Sequence, residues 1–201
     1  MPKIVNHDQR KEYIAEAAWR VIRREGLDGV SVRNVADEAG VSLGSLRHYF
    51  ETQSDLLAFS MKLVSSRVNR RIANLESSGD PRIDMERIIA ETLPLDEARR
   101  AEGEVWLAFA GKAIADPAIG ALSRDVHEEL YAGLGGMIGT LIRLGLLPES
   151  TDSDYETKRL HALVDGLVVH HLTFPERVTV EDMRRVVSRH LDSLIIRPES
   201  G

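Results

Sequence analysis

The sequence has no cysteine among its 201 residues. Disulfide bonds and thiolate metal sites are therefore excluded, and a reducing cytoplasm is the expected compartment. The chain also lacks an N-terminal apolar segment of the signal-peptide kind and any run of about 18 apolar residues. We therefore expect neither a signal peptide nor a membrane span.

Sequence motifs for catalysis and cofactor binding are missing as well. No Ser-His-Asp spacing, paired carboxylate or dinucleotide fingerprint is convincing. Residues 133–139, GLGGMIG, resemble a phosphate loop, but no Lys-Ser/Thr follows them and no predicted strand precedes them. We expect neither an enzyme nor a bound cofactor.

An excess of positive charge is missing from the whole chain, whose net charge is −6. The charges are nevertheless unevenly distributed. Residues 1–71 carry 12 Lys/Arg and 9 Asp/Glu, whereas residues 72–201 carry 14 and 23. The N-terminal third is thus locally basic, which allows phosphate contacts there while the acidic remainder faces away.

The most informative stretch is residues 31–50, SVRNVADEAGVSLGSLRHYF. It predicts two short helices joined by a tight turn. Ser31 and Ser42 are placed to cap them, and Gly40 can adopt the left-handed conformation that ends the first helix. On the second helix Leu46 and Phe50 face inward one turn apart.

The opposite side of that second helix carries Gly44, Arg47 and His48, with Leu43 at its edge. An apolar back and a front of hydrogen-bond donors are typical of a helix-turn-helix, whose second helix lies in the major groove of DNA. We therefore expect Arg47 and His48, together with nearby residues, to face bases or phosphates. The expected DNA-binding residues are Arg33, Ser42, Leu43, Gly44, Ser45, Arg47, His48, Tyr49 and Thr52.

Apolar periodicity continues in further helices to the end of the chain, and no convincing strand or repeat is present. We predict an all-α fold of about nine helices: a three-helix DNA-binding domain over residues 8–68 and a helical ligand-binding and dimerisation bundle over residues 69–201. The helix predicted over 155–173 is apolar on nearly every side. One side of it must be covered from outside its own domain, so we predict a homodimer.

Residues 11–57 resemble the TetR family of transcriptional regulators. The matching segments are 15–18, Gly26, 31–36, 39–42, 46–50 and 56–57. The second half resembles the BetI-type subgroup through 93–96 (LPLD), 105–109 (VWLAF), 116–117 (DP) and 163–167 (LVDGL). The resemblance implies a dimeric, all-helical repressor that leaves double-stranded operator DNA when a small molecule binds its C-terminal domain.

An effector pocket is predicted inside residues 82–175. Trp106 and Phe109 offer aromatic walls, and the glycines of a second helix leave volume unfilled because they have no side chains. His161 and Asp165 bring polar groups to a third, otherwise apolar, helix. The same residues could also simply fill a core. The expected ligand-binding residues are Trp106, Phe109, Gly133, Gly136, Met137, His161 and Asp165.

Three histidines, His161, His170 and His171, invite comparison with a metal site, but their spacing does not place them on one helix face, so no metal is expected. A different function on the same scaffold stays open: a small-molecule-binding helical protein without DNA binding. The intact capped motif favours the DNA-binding regulator.

Overall fold

The structure is a computed structural model that describes residues 7–195. Over these residues it contains nine α-helices, a 3₁₀ turn at Leu27–Gly29 and no β-strand, so the all-α prediction is confirmed. The helices are α1 His7–Glu25, α2 Val32–Ala39, α3 Leu43–Tyr49, α4 Gln53–Ala73, α5 Pro81–Ala90, α6 Glu97–Ala113, α7 Pro117–Arg143, α8 Ser153–Thr173 and α9 Val180–Leu194.

Hydroxyl side chains begin the helices of the motif, as predicted. The Ser31 Oγ accepts a hydrogen bond from the Asn34 N–H at 3.0 Å, and the Ser42 Oγ accepts one from the Ser45 N–H at 3.1 Å. Thr52 and Asp55 bond reciprocally at the start of α4, each backbone N–H donating to the other side chain at 3.0 Å. Each cap satisfies a backbone donor that the helix leaves unpaired.

The turn between α2 and α3 depends on Gly40. Its φ of 63° lies in the left-handed region, which glycine adopts without the steric penalty of a side chain. The next backbone N–H, that of Val41, donates to the Ala36 carbonyl at 3.0 Å and closes the end of α2. This geometry fixes the direction in which α3 leaves the turn.

The chain divides into two compact units. The first comprises residues 1–67 and 104–126, and the second comprises residues 68–103 and 127–201, of which the structure describes those within 7–195. Helices α4, α6 and α7 each contribute residues to both units. The predicted division between residues 68 and 69 concerns functional domains and stays a prediction.

In the first unit, α1 is the central helix of the core. Ile14, Ala18 and Val21 are fully buried, and the core also contains Leu46 of α3 and Val105 of α6. Burial of the inner faces of α2 and α3 in this core supplies most of their stability, because helices of 8 and 7 residues are marginal alone.

Specific hydrogen bonds fix α1 against its neighbours in the first unit. The Trp19 indole N–H donates to the Ser60 carbonyl at 3.0 Å, and the Tyr13 hydroxyl donates to the Ala39 carbonyl at 2.9 Å. Arg67 pairs with Glu16 and lies 4.9 Å from the centre of the Trp19 ring. These contacts make a defined frame on which the helix-turn-helix is held.

The second unit contains a network of buried charges around Arg71. Its guanidinium donates two hydrogen bonds to the carboxylate of Glu102, at 2.9 and 2.7 Å, and a third to Glu91 at 2.8 Å. The Glu102 side chain is only 5% exposed. These hydrogen bonds raise the pKa of Arg71, so the guanidinium stays charged and compensates the buried carboxylate.

None of the helices within residues 7–195 combines the length and apolar character that crossing a bilayer requires.

Candidate nucleic-acid interface and effector region

Helix α3 has one buried and one exposed face. Leu46 is fully buried and Phe50, at its C-terminal cap, is 3% exposed. Gly44, Arg47 and His48 are exposed on the opposite side. The structure therefore brings the predicted outward residues together on one surface, with the apolar side anchored in the core of the first unit.

Arg47 and Arg33 are both exposed and lie on the two helices of the motif. Neither forms a hydrogen bond or ion pair with any residue between 7 and 195. A guanidinium without a protein partner keeps its five N–H donors available for a planar acceptor such as phosphate or the guanine edge. By contrast, Arg20 and Arg24 of α1 both pair with Glu38.

The other predicted DNA-binding residues differ in exposure and in partners. Ser42 and Thr52 are exposed, and their oxygens accept the capping hydrogen bonds, which leaves each hydroxyl hydrogen free to donate. Leu43 and Ser45 are half-buried. The Tyr49 ring is also half-buried and lies 4.9 Å from the ring of His7.

Sequence reasoning missed one residue that positions this surface. The Gln53 side-chain amide, at the start of α4, donates to the Val30 carbonyl at 2.7 Å. It ties the beginning of α4 to the loop before α2. This hydrogen bond joins residues 23 positions apart. No pattern of neighbouring residues indicates a contact of that kind.

Five of the predicted effector residues lie in one unit and two in the other. Trp106 and Phe109 belong to the first unit, where Phe109 is fully buried in the core and Trp106 packs against that core. Gly133, Gly136, Met137, His161 and Asp165 belong to the second unit. The role of all seven in binding a ligand stays a prediction.

On α7, Gly133 and Gly136 are exposed, and a Cβ atom built on either would meet no other atom within 4 Å. Met137 beside them is half-buried. The glycines therefore leave an open face on α7 rather than make room for a packed side chain.

On α8, His161 is buried and Asp165 half-buried one turn later, with 3.5 Å between His161 Nε2 and Asp165 Oδ2. Burial lowers the pKa of His161 and raises the pKa of Asp165. The ring of His127 on α7 lies 4.5 Å from the ring of His161, centre to centre. His127 was missed in the sequence because it is 34 residues from His161 and only packing of α7 on α8 joins them.

The other two histidines of α8 are used differently. His171 is buried and its Nδ1 lies 2.7 Å from the Val178 carbonyl oxygen, whereas His170 is exposed. A separate cleft of about 220 Å³ lies between α5 and α9, lined in part by Glu86 and Arg184. None of the seven predicted effector residues lines that cleft.

Comparison with known proteins identifies both parts of the chain. Residues 14–58 match the model of bacterial regulatory proteins of the tetR family, and residues 81–196 match that of the BetI-type transcriptional repressor C-terminal domain. The HTH-type transcriptional regulator PksA of Bacillus subtilis (strain 168) is 41% identical over 98% of this chain and 95% of its own length. The regulator BetI of Proteus mirabilis (strain HI4320) is 24% identical over 96% of this chain and 94% of its own.

Solved structures agree with this result. A transcriptional regulator from Rhodococcus sp. Rha1 superposes with a TM-score of 0.78 at 29% identity, over 94% of this chain and 99% of that one. A regulator from Saccharomonospora viridis, solved in complex with choline, has a TM-score of 0.78 at 27% identity, over 94% and 100%. The matched family models describe transcriptional regulators, and these relatives are transcriptional regulators and not enzymes. The chain belongs to the TetR family of bacterial transcriptional regulators, with a C-terminal domain of the BetI type.

Proposed function

We propose that this regulator is a cytoplasmic homodimer that represses transcription by binding operator DNA through α2, α3 and the start of α4, and that a small-molecule effector releases it. The observation that carries the proposal is the exposed set Gly44, Arg47 and His48 on a helix anchored by Leu46 and Phe50. The cytoplasm is inferred because a regulator of bacterial operators works where the chromosome is.

The proposed DNA contacts divide into contacts to bases and contacts to phosphates. Arg47 and His48 face base edges in the major groove, where an arginine can donate two hydrogen bonds to guanine. Gly44 lets the backbone approach the DNA, since no atom within 4 Å occupies the space of its absent side chain. Arg33, Tyr49 and Thr52 contact phosphates, and Ser42, Leu43 and Ser45 border the groove.

Direct binding tests the DNA-binding function. We expect the protein to bind a labelled duplex from the region upstream of its own coding sequence, measured by fluorescence anisotropy. The logarithm of the binding constant should fall linearly with the logarithm of salt concentration, because lysine and arginine contacts release counterions from DNA. A duplex of shuffled sequence is the control. Absence of any binding at low salt would instead favour the small-molecule-binding protein without DNA affinity.

The dimer proposal rests on one face of α8. Tyr155 is 58% exposed, Ala162 is exposed, and Gly166 and Val169 are half-buried in the single chain. These residues recur at helical spacing and form a mostly apolar strip, in which the exposed Arg159 lies between Tyr155 and Ala162. Pairing of two such strips about a two-fold axis would remove both of them from water. A palindromic operator requires the two α3 helices of such a dimer to lie about 34–36 Å apart, or a multiple of that.

Replacing Gly166 by Arg should convert the dimer to a monomer. A Cβ at this position meets nothing within 4 Å, so the single chain accommodates the side chain, whereas a paired helix would clash with it and bury its charge. Sedimentation equilibrium at micromolar concentration measures the mass. Gly111→Arg, at an exposed glycine of α6 with equally open space, should stay dimeric. A monomeric wild-type protein, or a dimeric Gly166→Arg variant, contradicts the proposal.

For the effector we propose a mostly apolar small molecule with one or two hydrogen-bonding groups, bound in the BetI-type domain near the open face of α7 and the polar pair on α8. Its binding lowers operator affinity by its differential affinity for the two conformations of the regulator. The choline bound to the Saccharomonospora viridis protein supports a small-molecule site in this class of domain. We do not assign choline to this chain.

Replacing Gly136 by Leu should weaken the response to the effector roughly tenfold or more, since a large side chain would occupy the open face of α7. The effector is a compound selected by its ability to release the protein from the upstream duplex, and its half-effective concentration is the measurement. Gly111→Leu is the matched control, because it makes the same change at another open helical glycine. An unchanged response in a folded Gly136→Leu variant would place the site elsewhere.

A further inference from the structure

Within the described residues, one group of three side chains can supply metal ligands from a shared position. The potential ligand atoms of His127, His161 and Asp165 all lie within 4.8 Å of one another. Two of them, His161 and Asp165, are one turn apart on α8, a spacing that puts both on the same helix face. His127 approaches from α7 and completes a set of two imidazoles and one carboxylate.

We propose that His127, His161 and Asp165 bind a divalent first-row transition metal ion, with Zn²⁺ as the expected occupant. Imidazole nitrogen and carboxylate oxygen are the ligand types that zinc accepts, and three protein ligands leave one position for water or another small ligand. The absence of cysteine excludes thiolate ligands anywhere in the chain. The site shares His161 and Asp165 with the proposed effector region, goes beyond the proposed function in binding a metal ion there, and does not depend on DNA binding.

The three side chains have ligand atoms that no hydrogen bond within residues 7–195 occupies. Among residues 7–195 their polar atoms form no hydrogen bond, and their only close polar approach is the 3.5 Å between His161 Nε2 and Asp165 Oδ2. That distance is too long for a good hydrogen bond. A carboxylate with a side chain only 32% exposed and without a donor is unfavourable, and a bound cation would compensate its charge.

The geometry needs only a small adjustment. With metal–ligand bonds of about 2.0–2.2 Å, tetrahedral ligands lie roughly 3.3–3.6 Å apart. The present upper limit of 4.8 Å exceeds this by an amount that rotation of one side chain can close. His127 is exposed, so its ring can turn without disturbing the core.

Metal titration of the full-length protein, freed of any affinity tag and stripped with a chelator, tests the site. Isothermal titration with Zn²⁺ should show one ion bound per chain. Titration with Co²⁺ should give the intense visible absorption of a tetrahedral complex. His127→Ala and Asp165→Asn should each weaken Zn²⁺ binding roughly tenfold or more, because each removes a direct ligand.

Two controls make the result specific. His170→Ala removes an exposed histidine from the same helix and should leave Zn²⁺ affinity unchanged. Zn²⁺ should also raise the melting temperature of the wild-type protein and of His170→Ala, and raise that of His127→Ala by less at the same Zn²⁺ concentration, since the ion joins α7 to α8. No Zn²⁺ binding by the wild-type protein, or equal binding by His127→Ala, would overturn the proposal.

Discussion

Replacing Arg47 by Ala should lower operator affinity about 5- to 150-fold, the equivalent of about 1–3 kcal/mol for a bidentate contact to a base. The side chain is exposed and has no partner among the described residues, so its removal leaves the fold of α3 intact. Fluorescence anisotropy with the upstream duplex measures the change. Binding by Arg47→Ala as tight as that of the wild type would show that Arg47 does not read the operator.

Companion variants separate base recognition from phosphate binding. Arg33→Ala should weaken binding about equally to all DNA sequences, whereas Arg47→Ala should also relax the preference for the operator over a shuffled duplex. Arg124→Ala removes an exposed arginine of α7, which is outside the segments proposed to contact DNA, and should leave affinity unchanged. If Arg33→Ala relaxes specificity and Arg47→Ala does not, the two roles are reversed.

Replacing Arg71 by Met should destabilise the protein by about 2–3 kcal/mol. It leaves the carboxylate of Glu102, only 5% exposed, without its two hydrogen bonds and its counter-charge. Breaking a buried ion pair typically costs about 3–5 kcal/mol. We expect a smaller loss than this because the Arg71 side chain is 31% exposed and water partly screens the pair.

Urea unfolding at a fixed protein concentration measures this loss, since a dimer's apparent stability depends on concentration. The double variant Arg71→Met, Glu102→Gln should be more stable than Arg71→Met alone, because it removes the uncompensated charge. The exposed pair Lys158–Asp154, with both side chains 65% exposed, is the control, and Lys158→Ala should leave the stability nearly unchanged because water screens the pair. Equal losses at Arg71 and Lys158 would show that burial of Glu102 has no energetic role.

The buried and exposed faces of α3 could be predicted from local sequence because their causes are local. Ser31 and Ser42 cap their helices through residues three positions away, and Gly40 supplies a left-handed conformation that its own lack of a side chain permits. The spacing of Leu46 and Phe50 then determines which face of α3 is buried. All of these features act within a few residues, so the sequence displays them directly.

The prediction for the effector region was less complete, because contacts between distant residues decide it. Trp106 and Phe109 were grouped with Gly133 and His161, yet the structure places the aromatic pair in the first unit and the others in the second. His127 was not considered, since no spacing rule connects it with His161 across two helices. The hydrogen bonds from Gln53 to Val30 and from Arg71 to Glu102 likewise have no signal in the sequence.

The sequence by itself thus indicated an all-α regulator of the TetR family with a capped helix-turn-helix. It also indicated that Gly44, Arg47 and His48 lie on the exposed face of α3. Capping, helical periodicity and glycine's conformational freedom are properties of neighbouring residues. Only the tertiary structure decided that His127 joins His161 and Asp165, and that Arg71 compensates Glu102. Those pairings arise because packing of apolar helix faces sets which polar side chains are buried side by side, and that packing depends on residues far apart in the chain.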